Sequence, residues 1–365
     1  MAPFTLLADP GSVSAALDDL DDLNPVGVDV ERADADRYFR QAAVVQVGGQ
    51  GRAALIDPLA LGDLSALDRF LRERTVVLHA MENDLVPLAA AGVHPTAVQD
   101  TAIAAALLGL PTGLASLLET ELGIDSDGQK EAMQRADWQA RPLPADLLAY
   151  AAADVAHLPR LWSTLAGQLA ARGRRAWYDE ELAAVRTQPP AEARRDPRKV
   201  KGIGRLRGAE LGRAYALWHT RERLARDTDT APGRIAGDRV LIDLATDPPA
   251  SVGELGRRGV RRQAVRRFGE ELLAALASAE PADPPPRPRR VTDADRAAVD
   301  TLRGLRADVA AALAIDPGVL CPSRVLLRAV LADPASPHEL RAAMELRDWQ
   351  WEALAEPFCS ALDLA

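Results

Sequence analysis

Two acidic residues at the end of an apolar segment are the first feature of the sequence that could support catalysis. Residues 28–31 read Val-Asp-Val-Glu, an alternation that places Asp29 and Glu31 on one face of a β-strand and the valines on the other. Neighbouring carboxylates at an apolar strand end cost free energy unless a cation neutralises them, and oxygen ligands favour Mg²⁺ or Mn²⁺. The pair predicts a divalent-metal site, although a strand end that runs into solvent would have the same sequence.

A second acidic position follows another apolar segment. Residues 78–84 read Leu-His-Ala-Met-Glu-Asn-Asp and lead from a predicted strand into a predicted helix. The carboxylate of Asp84 would either cap that helix or point into a cleft at the end of the strand. Glu82 is a competing candidate for the same role.

A tyrosine and an aspartate form the third motif. Tyr150 and Asp154 are four residues apart in an alanine-rich segment, so a helix would stack the phenol and the carboxylate on one face. Such a pair suits a site in which the carboxylate holds a metal and the hydroxyl orients an attacking water. Taken alone, the pair could equally be a buried tyrosine beside a surface acid.

The three motifs, in this order and spacing, resemble the exonuclease motifs of the DEDD superfamily, in the branch that carries a tyrosine. Shorter sequence segments are similar to those of the ribonuclease D family: residues 54–58, His79-Ala80, Asp100-Thr101, Asp137-Trp138, residues 141–143 and residues 150–155. The resemblance implies an α/β domain of the ribonuclease H-like (DnaQ-like) fold with a mixed sheet. It also implies 3′ to 5′ exonuclease activity on RNA.

The resemblance assigns roles to five residues. Two divalent ions, Mg²⁺ or Mn²⁺, would lie about 4 Å apart across the scissile phosphate. Their implied ligands are Asp29, Glu31, Asp84 and Asp154. Tyr150 would position the attacking water, and each hydrolysis would release a nucleoside 5′-monophosphate.

Three further positions are candidates for substrate contact through the resemblance. Val30 stands where the family often has threonine and would lie near the last nucleotide of the substrate. His79 matches the family pattern and is expected to form a structural hydrogen bond at the strand end. Lys130 would meet the substrate backbone or, alternatively, is a surface lysine.

The elements that must position these residues follow from apolar runs and turn residues. Strands are predicted over residues 26–30, 42–47, 53–57 and 75–78, with a glycine turn joining the second and third into an antiparallel hairpin. Helices are predicted over 63–72, 84–91, 114–122, 145–153 and 158–171. The N-terminal part of the chain is therefore an α/β domain.

After Arg172 the strand signal ends and the predicted elements are helices, over 206–226, 239–245, 262–277, 293–314, 323–331, 336–344 and 349–361. The proline-rich residues 281–288 cannot continue a helix and mark a boundary. Residues 217–222, residues 232–235 and Asp238 resemble the helicase-and-RNase-D C-terminal (HRDC) domain, a helical nucleic-acid-binding module. The helices after the prolines are similar to a divergent second copy.

These observations predict four segments along the chain. An exonuclease domain covers residues 1–185, an HRDC domain covers 186–280, a linker covers 281–290, and a second all-α HRDC-like domain covers 291–365. The domain division rests on the change of pattern after Arg172 and on the proline-rich segment.

Composition limits the function classes. The net charge of −9 argues against a protein that coats nucleic acid by bulk electrostatics. Basic residues nevertheless cluster over 194–207 and again over 257–267, and we expect them to contact RNA phosphates around the substrate entry. Cys321 and Cys359 have no zinc-type spacing. Without a long apolar run or a signal-like start, the chain is expected to be cytoplasmic, with no membrane partner.

The resemblance implies RNA with a single-stranded 3′ end as partner, tRNA precursors above all, and a monomeric enzyme. A 3′ to 5′ exonuclease on DNA would use the same four carboxylates, and an adaptor with an inert nuclease domain would keep the helical modules. A helicase is excluded because the chain contains no G-x-x-x-x-G-K-[ST] phosphate loop.

Overall fold

The computed structural model describes residues 4–32, 36–124, 133, 136–188, 195–285 and 289–364. The chain divides into two compact units. The first unit comprises residues 1–31, 42–188 and 289–365, and the second comprises residues 32–41 and 189–288. Among the helices described, none combines the length and the apolar character needed to cross a bilayer.

A six-stranded mixed sheet forms the centre of the first unit, which confirms the predicted fold class. Its strands are β1 (Leu6–Leu7), β2 (Val26–Arg32), β3 (Ala42–Gly49), β4 (Arg52–Ile56), β5 (Thr75–Leu78) and β6 (Ala97–Asp100), in the spatial order β1-β4-β3-β2-β5-β6. Strands β3 and β4 are antiparallel, as the glycine turn predicts, whereas β2 with β5 and β5 with β6 are parallel.

Helices cover both faces of this sheet. They are α1 (Pro10–Asp18), α2 (Pro58–Leu61), α3 (Ser65–Arg72), α4 (Leu85–Ala90), α5 (Thr101–Leu108), α6 (Leu114–Leu122), α7 (Ala145–Ala156), α8 (Leu158–Ala171) and α9 (Arg175–Arg186). Val76 and Leu78 belong to one buried cluster and Val77 to another, because successive side chains of β5 point to opposite faces. The sheet therefore separates two apolar cores.

Five C-terminal helices complete the first unit: α15 (Asp293–Leu313), α16 (Pro317–Leu320), α17 (Ser323–Leu331), α18 (Pro337–Met344) and α19 (Asp348–Ala361). Trp349 stacks on Trp177 of α9, with ring centroids 4.7 Å apart, and its indole N–H donates to Glu181 at 3.0 Å. Arg174 donates to the carbonyl oxygens of Leu107 and Leu313. These contacts join the C-terminal helices to the helices beside the sheet.

The second unit is helical. It contains α10 (Gly208–Asp227), α11 (Pro232–Ile235), α12 (Asp238–Thr246), α13 (Val252–Arg257) and α14 (Arg262–Ala277). Its buried core includes Leu217, Trp218 and Phe268. Tyr38, from the short segment inserted after β2, is buried in the same core.

Asp229 holds that inserted segment in place. Its carboxylate accepts hydrogen bonds from the backbone N–H groups of Tyr38 and Phe39, both at 3.1 Å, and pairs with Arg37 at 2.5 Å. Asp229 itself has a positive φ of 43°, a conformation that aspartate tolerates better than most residues. The sequence pattern did not anticipate that residues 36–39 would pack with the helical module.

Several predicted helices have the observed bounds, including 114–122, 158–171, 262–277 and 323–331. The sequence pattern did not indicate β1 and β6, which have two and four residues, or the helices α1 and α9. Both missed strands are the edges of the sheet. Short edge strands carry little hydrophobic alternation, so their pairing depends on neighbours that are distant in sequence.

Replacing Trp349 with alanine is expected to lower the free energy of unfolding by about 3–5 kcal/mol, because the indole fills a buried site against Trp177. Urea denaturation followed by circular dichroism measures the change. Trp351→Ala is the matched control, since Trp351 is only partly buried. Equal losses in the two variants would contradict a special role for the Trp349 contact.

Candidate active site

Three carboxylates meet at one point of the first unit. Asp29 and Glu31 are partly exposed on β2, whereas the alternating residues Val28 and Val30 are buried, as the alternation predicts. Asp154 is buried on α7. One oxygen from each of these three carboxyl groups lies within 4.8 Å of the others. The structure thus brings together residues that are far apart in sequence.

A glycine allows α7 to approach β2 closely enough for this meeting. A Cβ atom at Gly27 would lie 2.7 Å from the carbonyl oxygen of Val155 and 3.0 Å from the Cβ of Leu158. A Cβ atom essentially never lies this close to a backbone oxygen, so only glycine fits at position 27. Because Gly27 precedes Asp29 by two residues and Val155 follows Asp154, this packing contact fixes the distance between the carboxylates.

Tyr150 lies beside the carboxylates, one helical turn before Asp154. Its hydroxyl hydrogen-bonds Asp154, and the charges of Glu31 and Asp29 also act on it. Burial, followed by the negative charge of Asp154, raises the pKa of the phenol well above its usual range. The hydroxyl therefore stays protonated and can donate a hydrogen bond.

An ion pair supports the segment next to Tyr150. The guanidinium of Arg141 contacts both carboxylate oxygens of Asp57, at 2.6 and 2.9 Å, and donates to the carbonyl oxygen of Trp138 at 2.8 Å. The Trp138 ring is 6.2 Å from the Tyr150 ring. The Arg141–Asp57 pair thus joins two sequence segments, residues 54–58 and 141–143, that resemble the family. The sequence did not predict this contact.

Asp57 also caps α2, since its carboxylate accepts hydrogen bonds from the backbone N–H groups of Leu59 and Ala60. Burial of Asp57 acts to raise its pKa, but the pairing with Arg141 and the hydrogen bonds from Ala60 and Leu59 together lower it. The pair therefore stabilises the folded protein above the unfolded pKa of aspartate, and this contribution is lost as the pH falls through the folded pKa.

Asp84 follows β5, the strand that pairs with β2. It is buried, and although it stands at the start of α4, its side chain makes no capping hydrogen bond to that helix. Glu82, the competing candidate, is exposed on the short 3₁₀ turn Met81–Asn83. Asp84 lies outside the group of three converging carboxylates, so its role as a fourth ligand stays a prediction.

The turn that leads to Asp84 is held by Asp100 at the end of β6. The carboxylate of Asp100 accepts hydrogen bonds from the N–H groups of Met81, at 2.7 Å, and Ala80, at 3.3 Å. Ala80 has a positive φ of 60°, which this pair of hydrogen bonds stabilises. The same carboxylate caps α5 through Ala102 and Ile103, so one side chain fixes both elements.

The three candidates for substrate contact differ in environment. His79 places Nδ1 2.9 Å from the Thr101 hydroxyl, which in turn donates to the carbonyl oxygen of Leu78. Val30 is buried in an apolar cluster of the first unit. Lys130 lies outside the described residues. Substrate contact by any of the three stays a prediction.

The carboxylate group fits a divalent cation. Three negative groups whose oxygens converge in a partly buried position repel one another unless a positive charge lies between them. The ligand atoms are all oxygens, which Mg²⁺ and Mn²⁺ prefer, and no cysteine or histidine takes part. Asp29, Glu31 and Asp154 are therefore the residues that would hold the metal.

Comparisons with known proteins agree with this site. The 3′–5′ exonuclease family profile matches residues 7–170, and the HRDC domain profile matches residues 210–276. The first match includes all of the acidic motifs and Tyr150. The fold and site thus define a metal-dependent nuclease that degrades nucleic acid from the 3′ end, with a helical HRDC region after it.

Relatives that match most of the chain show which family of nucleases it belongs to. The chain is 34% identical to ribonuclease D of Zymomonas mobilis over 297 residues. This aligned region covers 78% of this chain and 75% of the relative. It is 31% identical over 361 residues to ribonuclease D of Pseudomonas paraeruginosa, which covers 93% of this chain and 92% of the relative. The chain belongs to the ribonuclease D family and is a 3′–5′ exoribonuclease.

The crystal structure of Escherichia coli ribonuclease D has the same fold. It superposes with a TM-score of 0.76 at 26% sequence identity, covering 99% of this chain and 98% of that one. The Escherichia coli protein is an exoribonuclease involved in structured RNA processing. The fold, the HRDC module and the exonuclease assignment expected from the sequence are confirmed.

Gly27→Ala is expected to reduce the hydrolysis rate by about a hundredfold, because the added methyl group pushes α7 and Asp154 away from Asp29. Release of nucleotides from a labelled RNA measures the rate. The matched control is Gly167→Ala in α8, where an added Cβ meets nothing within 4 Å. Gly167→Ala should keep full activity, and wild-type activity in Gly27→Ala would contradict the packing argument.

Proposed function

We propose that this exoribonuclease trims the single-stranded 3′ ends of structured RNAs, tRNA precursors above all, by metal-assisted hydrolysis. The observation that carries the proposal is the approach of the Asp29, Glu31 and Asp154 carboxylates to within 4.8 Å beside Tyr150. The similar fold of a protein described as acting in structured RNA processing supports the substrate class.

The chain's own residues have separate roles in the proposed reaction. Asp29 and Glu31 hold the metal site from β2, and Asp154 holds it from α7. Asp84, buried after the neighbouring strand β5, supplies a further oxygen ligand. Divalent cations bound there would activate water and stabilise the charge that develops on the leaving oxygen.

The Tyr150 hydroxyl is proposed to orient the attacking water by a hydrogen bond. Attack of the water oxygen on phosphorus breaks the bond to the 3′ oxygen, which leaves as a hydroxyl. The products are a nucleoside 5′-monophosphate and an RNA shorter by one nucleotide, and no covalent intermediate with the protein is needed. Because the phenol is held by Asp154, its direction is set before the substrate binds.

Charge distribution supports an RNA partner for the helical module. The second unit carries 23 lysines and arginines against 16 aspartates and glutamates, a net charge of +7. The first unit carries 21 against 37, a net charge of −16. Positive charge is thus concentrated in the HRDC unit, where it would attract RNA phosphates and make binding weaken as salt rises.

Asp154→Asn is expected to lower hydrolysis of a 3′-tailed tRNA on the order of a thousandfold, because a ligand worth several kcal/mol of transition-state stabilisation is removed. Product sizing in Mg²⁺, in Mn²⁺ and in a chelator measures the reaction, and RNA binding should be nearly unchanged. Full activity of Asp154→Asn would refute the site.

The same assay separates the competing functions. Preferential digestion of a DNA oligonucleotide of matched sequence would favour a DNA exonuclease. Binding of RNA without hydrolysis in either metal would favour an inert adaptor. Either outcome would replace the proposed function.

Tyr150→Phe is expected to reduce the rate by about a hundredfold while leaving metal affinity unchanged, because only the water-orienting hydroxyl is lost. Titration with Mn²⁺ checks the metal, and single-turnover digestion checks the rate. Trp138→Phe is a useful companion variant, since it alters the neighbouring ring and keeps the hydroxyl. A Tyr150→Phe enzyme as fast as wild type would remove the phenol from the mechanism.

A further inference from the structure

Several arginines of the HRDC unit pair with a carboxylate. The ion pairs include Arg195–Glu222, Arg198–Asp196, Arg221–Asp238, Arg223–Glu271, Arg234–Asp36, Arg257–Glu254 and Arg258–Asp247. These pairs neutralise the guanidinium groups locally and leave them little charge for an external partner.

Four arginines at the start of α14 differ from this pattern. Arg261, Arg262, Arg266 and Arg267 are all exposed. In the part of the chain that the structure describes, no carboxylate lies within 4.0 Å of their guanidinium nitrogens. Four adjacent cations without an acidic partner repel one another, so a bound anion would relieve that repulsion.

A cavity of about 290 Å³ lies beside this cluster. Three buried apolar residues, Ile235, Ala264 and Phe268, line it together with polar side chains. Two of the unpaired arginines, Arg261 and Arg267, form its rim, and the guanidinium of Arg267 lies 5.0 Å from the centre of the Phe268 ring. The cavity therefore combines an aromatic wall with two uncompensated positive charges.

The remaining charges at the cavity cancel. Arg234 also lines it, but the Nε of Arg234 donates to Asp36 at 2.5 Å. Asp36 is the acidic residue among those that line the cavity, and its charge is already matched by Arg234. The net charge facing a ligand thus comes from Arg261 and Arg267.

We propose that this cavity binds one nucleotide of a single-stranded RNA, with phosphates at Arg261 and Arg267 and the base or ribose against Phe268. Guanidinium groups bind phosphate through paired N–H donors, and aromatic side chains give single strands a sequence-independent stacking surface. The volume is near the lower end of small-ligand sites, about 300 Å³, which suits a single nucleotide. The proposal rests on the proposed function and adds a second RNA contact to it, separate from the hydrolytic site.

The test compares two double variants that remove equal charge from the full-length chain. Arg261→Gln/Arg267→Gln removes the unpaired cations, whereas Arg257→Gln/Arg258→Gln removes neighbouring arginines that are paired with Glu254 and Asp247. Binding of a labelled oligouridylate is measured by fluorescence anisotropy over a range of KCl concentrations, with a chelator present to prevent hydrolysis.

The Arg261→Gln/Arg267→Gln variant is expected to bind more weakly and to lower the slope of log K against log salt by about 1.4, since each phosphate contact with a single strand contributes about 0.7. The paired control should keep the wild-type slope. Equal losses in both double variants would overturn the proposal, because net charge alone would then explain the binding. Wild-type affinity in Arg261→Gln/Arg267→Gln would overturn it as well.

A variant that removes a negative charge should strengthen binding, a result that loss of folding would not produce. Asp36→Asn frees Arg234 from its partner and should strengthen oligouridylate binding and raise the slope by about 0.7. Weaker or unchanged binding in Asp36→Asn would contradict the assigned charges. Stronger competition by polyglutamate than by oligouridylate would replace RNA with an acidic protein as the ligand.

Hydrolysis separates this proposal from the proposed function. Use of both sites at once takes at least three phosphates, one that is cleaved and two at the arginines, whereas a trinucleotide has two. The Arg261→Gln/Arg267→Gln variant should therefore digest a trinucleotide at the wild-type rate and digest a long RNA with a raised KM. If the wild-type chain binds oligouridylate but hydrolyses no RNA, the proposed function fails alone. If it hydrolyses both substrates and the variant is unchanged on both, the cavity proposal fails alone.

Discussion

The close packing of α7 on β2 is the constraint on which the active site depends. The carbonyl oxygen of Val155 lies where a side chain at position 27 would be, so the helix can rest on the strand only because that residue is glycine. This contact brings Asp154 to Asp29 and Glu31 although their charges repel. Folding of the apolar core thus supplies the free energy that holds the three carboxylates together.

Other buried polar contacts fix the loops around that packing. Arg141 joins the segment with Trp138 to the cap of α2 through Asp57, and Asp100 joins the turn before Asp84 to the start of α5. Each carboxylate satisfies backbone N–H groups of one element and a partner from another. A buried carboxylate with several donors is well satisfied, so these contacts give the loops defined positions rather than only local stability.

The two compact units differ in charge in a way that suits their roles. The first unit, with a net charge of −16, contains the acidic site, and the second, with +7, contains the HRDC helices. An acidic surface repels RNA, so the cationic unit is the part that would attract the substrate in the proposed function, and divalent cations would neutralise the acidic site. The net charge of −9 conceals this division because it adds the charges of the two units.

Sequence alone determined the motif residues, the α/β then all-α order, and several helix bounds. Residues such as Asp29, Glu31, Tyr150 and Asp154 carry periodic and chemical information that is local in the chain. The sequence alone could not determine that Gly27 allows α7 to pack closely on β2, that Arg141 pairs with Asp57, or that Tyr38 packs in the helical unit. Those contacts join residues far apart in sequence, and their energies exist only once the chain has folded, because packing distance and burial are properties of the tertiary structure.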